Sequence, residues 1–177
     1  MKTFAVPTTE QVSENNKAIF DNLNKAIGMV PNLYAAMAWS ENALGNYLTF
    51  QGGKTSLRGK EKEAVNLIVS QVNDCIYCLS AHTAIGKMHG LTDEQIIELR
   101  KGGASFDAKL DALVKLAKNI TENRGKAGSA LVDNFFSAGY NEGSLVDLIM
   151  LIGDKTIMNY LHNLTEVPVD FPPAPAL

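Results

Sequence analysis

No run of 18 or more apolar residues occurs in this chain of 177 residues, so it holds no transmembrane candidate. Its first ten residues, MKTFAVPTTE, contain no apolar signal region. A basic stripe is missing too. The net charge is −3, and the four positive residues from Lys54 to Lys62 are interrupted by Glu61 and Glu63. That pattern argues against a nucleic-acid binder. Together these absences predict a cytoplasmic protein that needs neither membrane nor nucleic acid. Cysteine is scarce, with Cys75 and Cys78 the only two. In a reducing compartment a structural disulfide is disfavoured, and a close cysteine pair points to catalysis or metal binding.

Strand patterning is also absent. Val, Ile and Thr never alternate over a convincing stretch, whereas apolar residues recur at spacings of three and four, the signal of helices. The expected fold class is all-α. Composition is that of a soluble globule, 46% hydrophobic and 20% charged. The length suits a single domain over 1–177 that buries a core without staples.

The first helix is expected over Thr9–Ile27, with Ala18, Ile19, Leu23, Ala26 and Ile27 on its apolar face and Gly28 as its stop. Pro31 opens a short helix through Trp39, since proline suits a first turn. A third helix follows over Glu41–Phe50, and QGGKTS breaks the chain. Ser56 is a candidate cap for a helix over Arg58–Val72 whose inward face carries Ala64, Leu67, Ile68 and Val72. Asn73 and Asp74 make a tight joint, Cys75 starts the next helix, and Gly90 ends it. Thr92 caps another helix, with Gln95 as the capping-box partner. Helices over Asp107–Asn123 and Ala130–Ala138 come next, then a long one over Gly143–Leu164. The four prolines of VPVDFPPAPAL forbid helix, so residues 167–177 should run extended over a surface, that of another subunit included. No clear repeat is present; the faint echo of EKEAVNLIVSQVN in KLDALVKLAKNIT is one that any two amphipathic helices could show.

The stretch CIYCLSAHTAIGKMHG concentrates the chemistry. On a helix Cys75, Cys78 and His82 fall at i, i+3 and i+7 and share a face. Cys78 and His82, at i and i+4, are direct neighbours. The cysteines sit in a first turn, where unbonded N–H groups and the helix dipole favour a thiolate, and a basic partner lowers a cysteine pKa further. The spacing also permits a disulfide. Glu63 lies on the preceding helix. In a hairpin folded at Asn73–Asp74 it stands roughly 15 Å from the turn and His82 roughly 12 Å, at similar height. A carboxylate beside an imidazole orients the ring and raises its basicity. Three readings of the pair remain open on the residues alone: a redox dithiol, a metal site assembled from Glu63, Cys75, Cys78 and His82, and two small buried hydrophobes. His89 reads as a residue meeting a helix C-terminus, His162 as a surface or interface residue, and the Met and aromatic residues mostly as core.

Glu63, eleven intervening residues, then C-x-x-C-x-x-x-H resembles the signature of the alkylhydroperoxidase AhpD-like branch of the carboxymuconolactone decarboxylase superfamily. The best-matching stretch is Leu57–Gln95. GMVPNLYAAMA and NYLHNLTEVPVDFP also resemble segments of the longer, peroxidase-related members. The resemblance implies an all-α fold with the motif in a helical hairpin buried at subunit contacts. It implies that Cys78 attacks the peroxide, that Cys75 resolves the sulfenic acid to a disulfide, and that His82 and Glu63 relay the proton. It further implies a hydroperoxide substrate, a dithiol reductant such as a lipoyl-bearing protein, no metal or organic cofactor, and a homo-oligomer, trimer or hexamer. Decarboxylase members lack the paired cysteines, which disfavours lactone decarboxylation here. A general dithiol–disulfide oxidoreductase and a redox-sensing oligomer are the alternatives. One position departs from the pattern. Where the best-known peroxidase of the family has a histidine before the second cysteine, this chain has Tyr77, a poor base with a pKa near ~10. Its ring is expected to pack in the hairpin or at a subunit contact, with its hydroxyl toward Glu63.

Overall fold

A computed structural model describes residues 4–177. Among them all regular structure is helical: a 3-10 turn at Thr9–Gln11 and nine α-helices. No helix among the described residues is long and apolar enough to cross a membrane. The chain gathers into two compact units. One comprises the chain up to Lys54 with Leu161–Asp170, the other Thr55–Tyr160 with Phe171–Leu177.

The first unit holds α1 (Glu14–Ile27), α2 (Asn32–Met37) and α3 (Ala43–Gln51). The helix expected from Thr9 begins five residues later. Val12 is extended and interrupts the chain after the 3-10 turn, and Ser13 restarts it by accepting the Asn16 N–H on its hydroxyl at 3.3 Å. The expected apolar face is also wrong. Ala18, Ala26 and Ile27 are exposed and Ile19 and Leu23 are half-buried, while Phe20 and Asn16 are buried. The reason is polar: Asn16 Nδ2 donates to the carbonyls of Ala38 (3.1 Å) and Ser40 (3.0 Å), turning that side of α1 toward the end of α2. Gly28 stops α1 as expected, in the left-handed region at φ 78°. Pro31 has no side-chain cap to offer α2, so Asp170 supplies one, its Oδ2 accepting the Asn32 N–H at 2.7 Å. His162, expected at a surface or interface, is buried within the chain, and its Nε2 lies 3.2 Å from the Val167 carbonyl.

The second unit contains α4 (Lys60–Val72), α5 (Ile76–Met88), α6 (Asp93–Lys101), α7 (Ala108–Glu122), α8 (Ser129–Ser137) and α9 (Glu142–Thr165) as far as Tyr160. α4 is its axis and packs against α5, α6 and α7. Every residue from Glu63 to Ser70 is buried, so α4 has no solvent face along that stretch. Leu67, Ile68, Leu99, Leu113, Leu116, Phe135 and Leu148 are the centre of the core. Each contributes about 1.5–3 kcal/mol through burial. Ser56 does not cap α4. Its N–H and hydroxyl both donate to Asp147 Oδ2 (2.7 and 2.6 Å), and α4 starts later, after Gly59 at φ 51°, ψ −120°, a conformation glycine tolerates best. Aromatic and Met residues are less uniformly core than expected: Trp39, Met88, Met150 and Tyr160 are all exposed.

The joint between α4 and α5 lies where the sequence puts it. The Cys75 N–H reaches the Ser70 carbonyl (3.0 Å) and the Asp74 N–H that of Gln71 (3.2 Å), with Asp74 left-handed at φ 51°. This is a Schellman ending. The residue that completes it, Cys75, is also the N-cap of α5. The Pro-rich tail is extended, as expected, but it follows this chain's own helices. The Ala174 N–H donates to Ser80 Oγ at 3.2 Å and Arg100 Nη1 donates to the Pro175 carbonyl at 2.6 Å.

Candidate active site

Because the Schellman bonds fix Cys75 in space, its side chain points back over the first turn of α5. There Cys75 Sγ accepts the Cys78 N–H at 3.3 Å. The two thiols are therefore adjacent and share one helix N-terminus, and they are not joined in a disulfide. Cys75 is 0% and Cys78 3% exposed, so neither meets bulk water freely. One turn beyond Cys78, His82 Nδ1 lies 2.7 Å from Glu63 Oε2. Asn66 Nδ2 donates to the other carboxylate oxygen at 3.1 Å. The similar heights inferred from the hairpin are thus realised as a direct contact. Glu63, Cys75, Cys78 and His82 come together on two adjacent helices.

Tyr77 is buried, and its ring meets Phe171 of the tail edge-on, with centroids 5.6 Å apart. The tail is therefore one packing partner of Tyr77.

Electrostatics sets the resting state. Burial raises the Glu63 carboxyl, but His82, Lys155 and the Asn66 hydrogen bond together outweigh it and hold the group below the usual range. Burial and the Lys155 charge push His82 down, against the opposing pull of Glu63 and Asp154. The pair is therefore a carboxylate and a neutral imidazole. Since the carboxylate can only accept, the ring proton sits on Nδ1 and Nε2 is left as a base. The Cys78 thiol is pushed well up, first by its contact with Cys75, then by burial. Two neighbouring buried thiols thus resist carrying two charges at once.

Sequence reasoning missed the contribution of α9. Asn159 is fully buried, donates to Ser70 Oγ (3.2 Å), accepts from Asn73 Nδ2 (3.0 Å), and favours ionisation of Cys78 through a hydrogen bond. Lys155, one turn earlier, is buried as well, as is Asp154. The signal was there in GDKTIMNYLHN. Asp154, Lys155 and Asn159 fall on the same side as Leu148, Leu151, Ile152 and Met158, so polar groups interrupt a buried apolar face. Among the described residues no group of three or more His, Cys, Asp and Glu side chains is arranged to hold a metal ion.

The sequence pattern of the Carboxymuconolactone decarboxylase family matches residues 31–119. Three solved structures share the fold. A peroxidase-related protein from Silicibacter sp. TM1040 is 21% identical with a TM-score of 0.81, over 95% of this chain and 94% of that one. A peroxidase-related protein with an alkylhydroperoxidase AhpD core, from Ralstonia eutropha JMP134, is 16% identical with a TM-score of 0.81, over 96% and 90%. The debrominase Bmp8, as a cysteine-to-alanine variant in complex with 2,3,4-tribromopyrrole, is 14% identical with a TM-score of 0.78, over 96% and 93%. At these identities the likeness is one of fold.

Proposed function

Since this chain belongs to the carboxymuconolactone decarboxylase family, and its fold is that of AhpD-like proteins, we propose that it is a thiol-dependent hydroperoxide reductase. The observation that carries this reading is the 2.7 Å contact between Glu63 and His82, one helical turn from a cysteine whose neighbour is a second cysteine. Glu63 holds His82 with Nε2 as the base. The imidazole takes the Cys78 proton, and the Cys78 thiolate attacks one oxygen of ROOH. The O–O bond breaks, Cys78 becomes a sulfenic acid, and the departing RO⁻ takes the proton from His82. Cys75 then attacks the sulfenic sulfur, water leaves, and a Cys75–Cys78 disulfide forms. A dithiol, such as that of a lipoyl-bearing protein, returns the pair to thiols. Tyr77 supports the site by packing, and no metal or organic cofactor takes part.

The protein is also proposed to work in the cytoplasm as a homo-oligomer, a trimer or hexamer. Val146, Met150, Ile157 and Tyr160 support this, since they recur at four, seven and three residues along α9 and are all exposed.

A second reading has its own support. The Cys75 sulfur, not that of Cys78, accepts an N–H at the helix start, so Cys75 can carry the first negative charge, as in a general dithiol–disulfide oxidoreductase. Peroxide consumption separates the two. With a panel of dithiol and monothiol reductants, the wild type should consume hydroperoxide catalytically and Cys78→Ser should not. Disulfide exchange with no peroxide consumption under any reductant would favour the oxidoreductase.

A further inference from the structure

Lys155 is 3% exposed, an unusual place for an ammonium. It lies on α9 one turn before Asn159, whose bonds to Ser70 and Asn73 lock this face of α9 onto the end of α4 and the joint that precedes Cys75. Among the described residues its ammonium makes no close ion pair. The Ser56–Asp147 and Ser70–Asn159 bonds lay α9 alongside α4 and set the buried Lys155 between them, where its charge bears on Glu63, His82 and Cys78. The groups that bear on the thiol are then Cys75 from the cap of α5 and Lys155 and Asn159 from α9, while Glu63 from α4 meets His82, one turn beyond Cys78 on α5. Asp154 faces His82.

We propose that Lys155 is the charge-balancing residue of the site: its buried ammonium offsets the Glu63 carboxylate and so permits a thiolate at Cys78. With Glu63 ionised, a second anion at Cys78 would share a buried site with the first. Moving the thiol proton to His82 puts the imidazolium against the Glu63 carboxylate at 2.7 Å, but it leaves the thiolate without a cation of its own against that buried negative charge. The ammonium removes that opposition. Lys155 acts through the thiol and not on the peroxide, so it is a positioning residue. The inference rests on the reading above only for the use to which the thiolate is put.

The sign of the effect tests it. In Lys155→Met the charge is lost and the stem's bulk retained. The pH profile of iodoacetamide alkylation at Cys78, read by peptide mass, should shift upward by at least one pH unit, about a tenfold loss of thiolate below the midpoint. The His82 titration, followed by NMR, should also move upward, because a neighbouring positive charge is gone. Lys155→Arg keeps the cation and should hold both midpoints near wild type. A purely structural role predicts the reverse at Cys78: looser packing admits water and moves the thiol down toward its ordinary value of ~8.5. Removing an unpaired buried charge relieves desolvation, so Lys155→Met should fold; Lys155→Gln provides the same reading if it does not. An unshifted or lowered Cys78 midpoint in a folded variant overturns the proposal. Alkylation needs no peroxide. A shifted midpoint in a protein that consumes no peroxide would leave Lys155 in its role and remove the peroxidase reading. Peroxide consumption with an unshifted midpoint would do the opposite.

Discussion

The two ends of α5 are built to the same plan from different materials. At its C-terminus the Leu91 N–H reaches the Gly86 carbonyl (3.0 Å) and that of Gly90 reaches Lys87 (2.9 Å). Gly90 is left-handed at φ 80°, and Thr92 then caps α6 in a capping box with Gln95. At its N-terminus the same two bonds close α4, but Asp74 takes the left-handed position and a thiol takes the cap. Glycine and threonine are good choices for those jobs. Aspartate in the left-handed region carries a steric penalty, and sulfur is a weak acceptor. One joint follows local propensity. The other departs from it where the cysteines sit, and such departures mark functional sites.

The sharpest way to break that comparison is to repair the cap. Cys75→Ser places a better acceptor at the N-cap, so stability should hold within about 1 kcal/mol of wild type. Peroxide turnover should nevertheless be lost after one equivalent, because no thiol remains to resolve Cys78. Urea unfolding and peroxide consumption check the two halves. Next in size, Glu63→Gln removes the charge that fixes the His82 tautomer. The rate of the peroxide step should fall roughly 10²–10⁴-fold, the range expected when acid–base catalysis is lost, in a single-turnover assay on folded protein.

A milder perturbation is pH. His82 is held below its ordinary value, so the unfolded chain binds more protons than the native one as pH falls below ~6.5, and stability falls with it. Glu63, also held low, adds to the loss at lower pH. Cys78 is held high, so above ~8.5 the unfolded chain loses its thiol proton while the native chain keeps it, and stability falls as pH rises there. Unfolding free energy should therefore peak between those limits, and Cys78→Ser should flatten the alkaline limb alone. A monotonic profile through both limits would contradict the resting state described above. The smallest effects concern the caps. Thr92→Ala should destabilise by about 1 kcal/mol and leave turnover unchanged, while Asp74→Gly should stabilise by a few tenths to about 1 kcal/mol. Urea midpoints at constant slope measure both.

Local signals made much of this architecture legible. The break at Asn73–Asp74, the start at Cys75, the stop at Gly90 and the Thr92–Gln95 box are all contacts within a few residues, and counting helical rise from the joint brought Glu63 level with His82. Long-range contacts were not legible. Asn16 turns α1 by bonding to backbone 22 and 24 residues away, which no apolar periodicity reports. Ser56 reads as a cap from its neighbours, yet its partner is Asp147, 91 residues on. Lys155 and Asn159 interrupt a buried apolar face, but burial of an ammonium makes sense only once the anionic site beside it is known. The tail's extended form follows from its prolines, but its course along Ser80, Tyr77 and Arg100 depends on surfaces assembled by folding.

The most direct test of the account is the mass of reduced protein after one equivalent of hydroperoxide. The wild type should lose two hydrogens, with Cys75 and Cys78 joined in one peptide. Cys75→Ser should instead gain one oxygen at Cys78, trapped by a sulfenic-acid reagent, and Cys78→Ser should stay unmodified at Cys75. Oxygen appearing first at Cys75, or no change in the wild type, would contradict the assignment of Cys78 as the attacking thiol and, with it, the central claim.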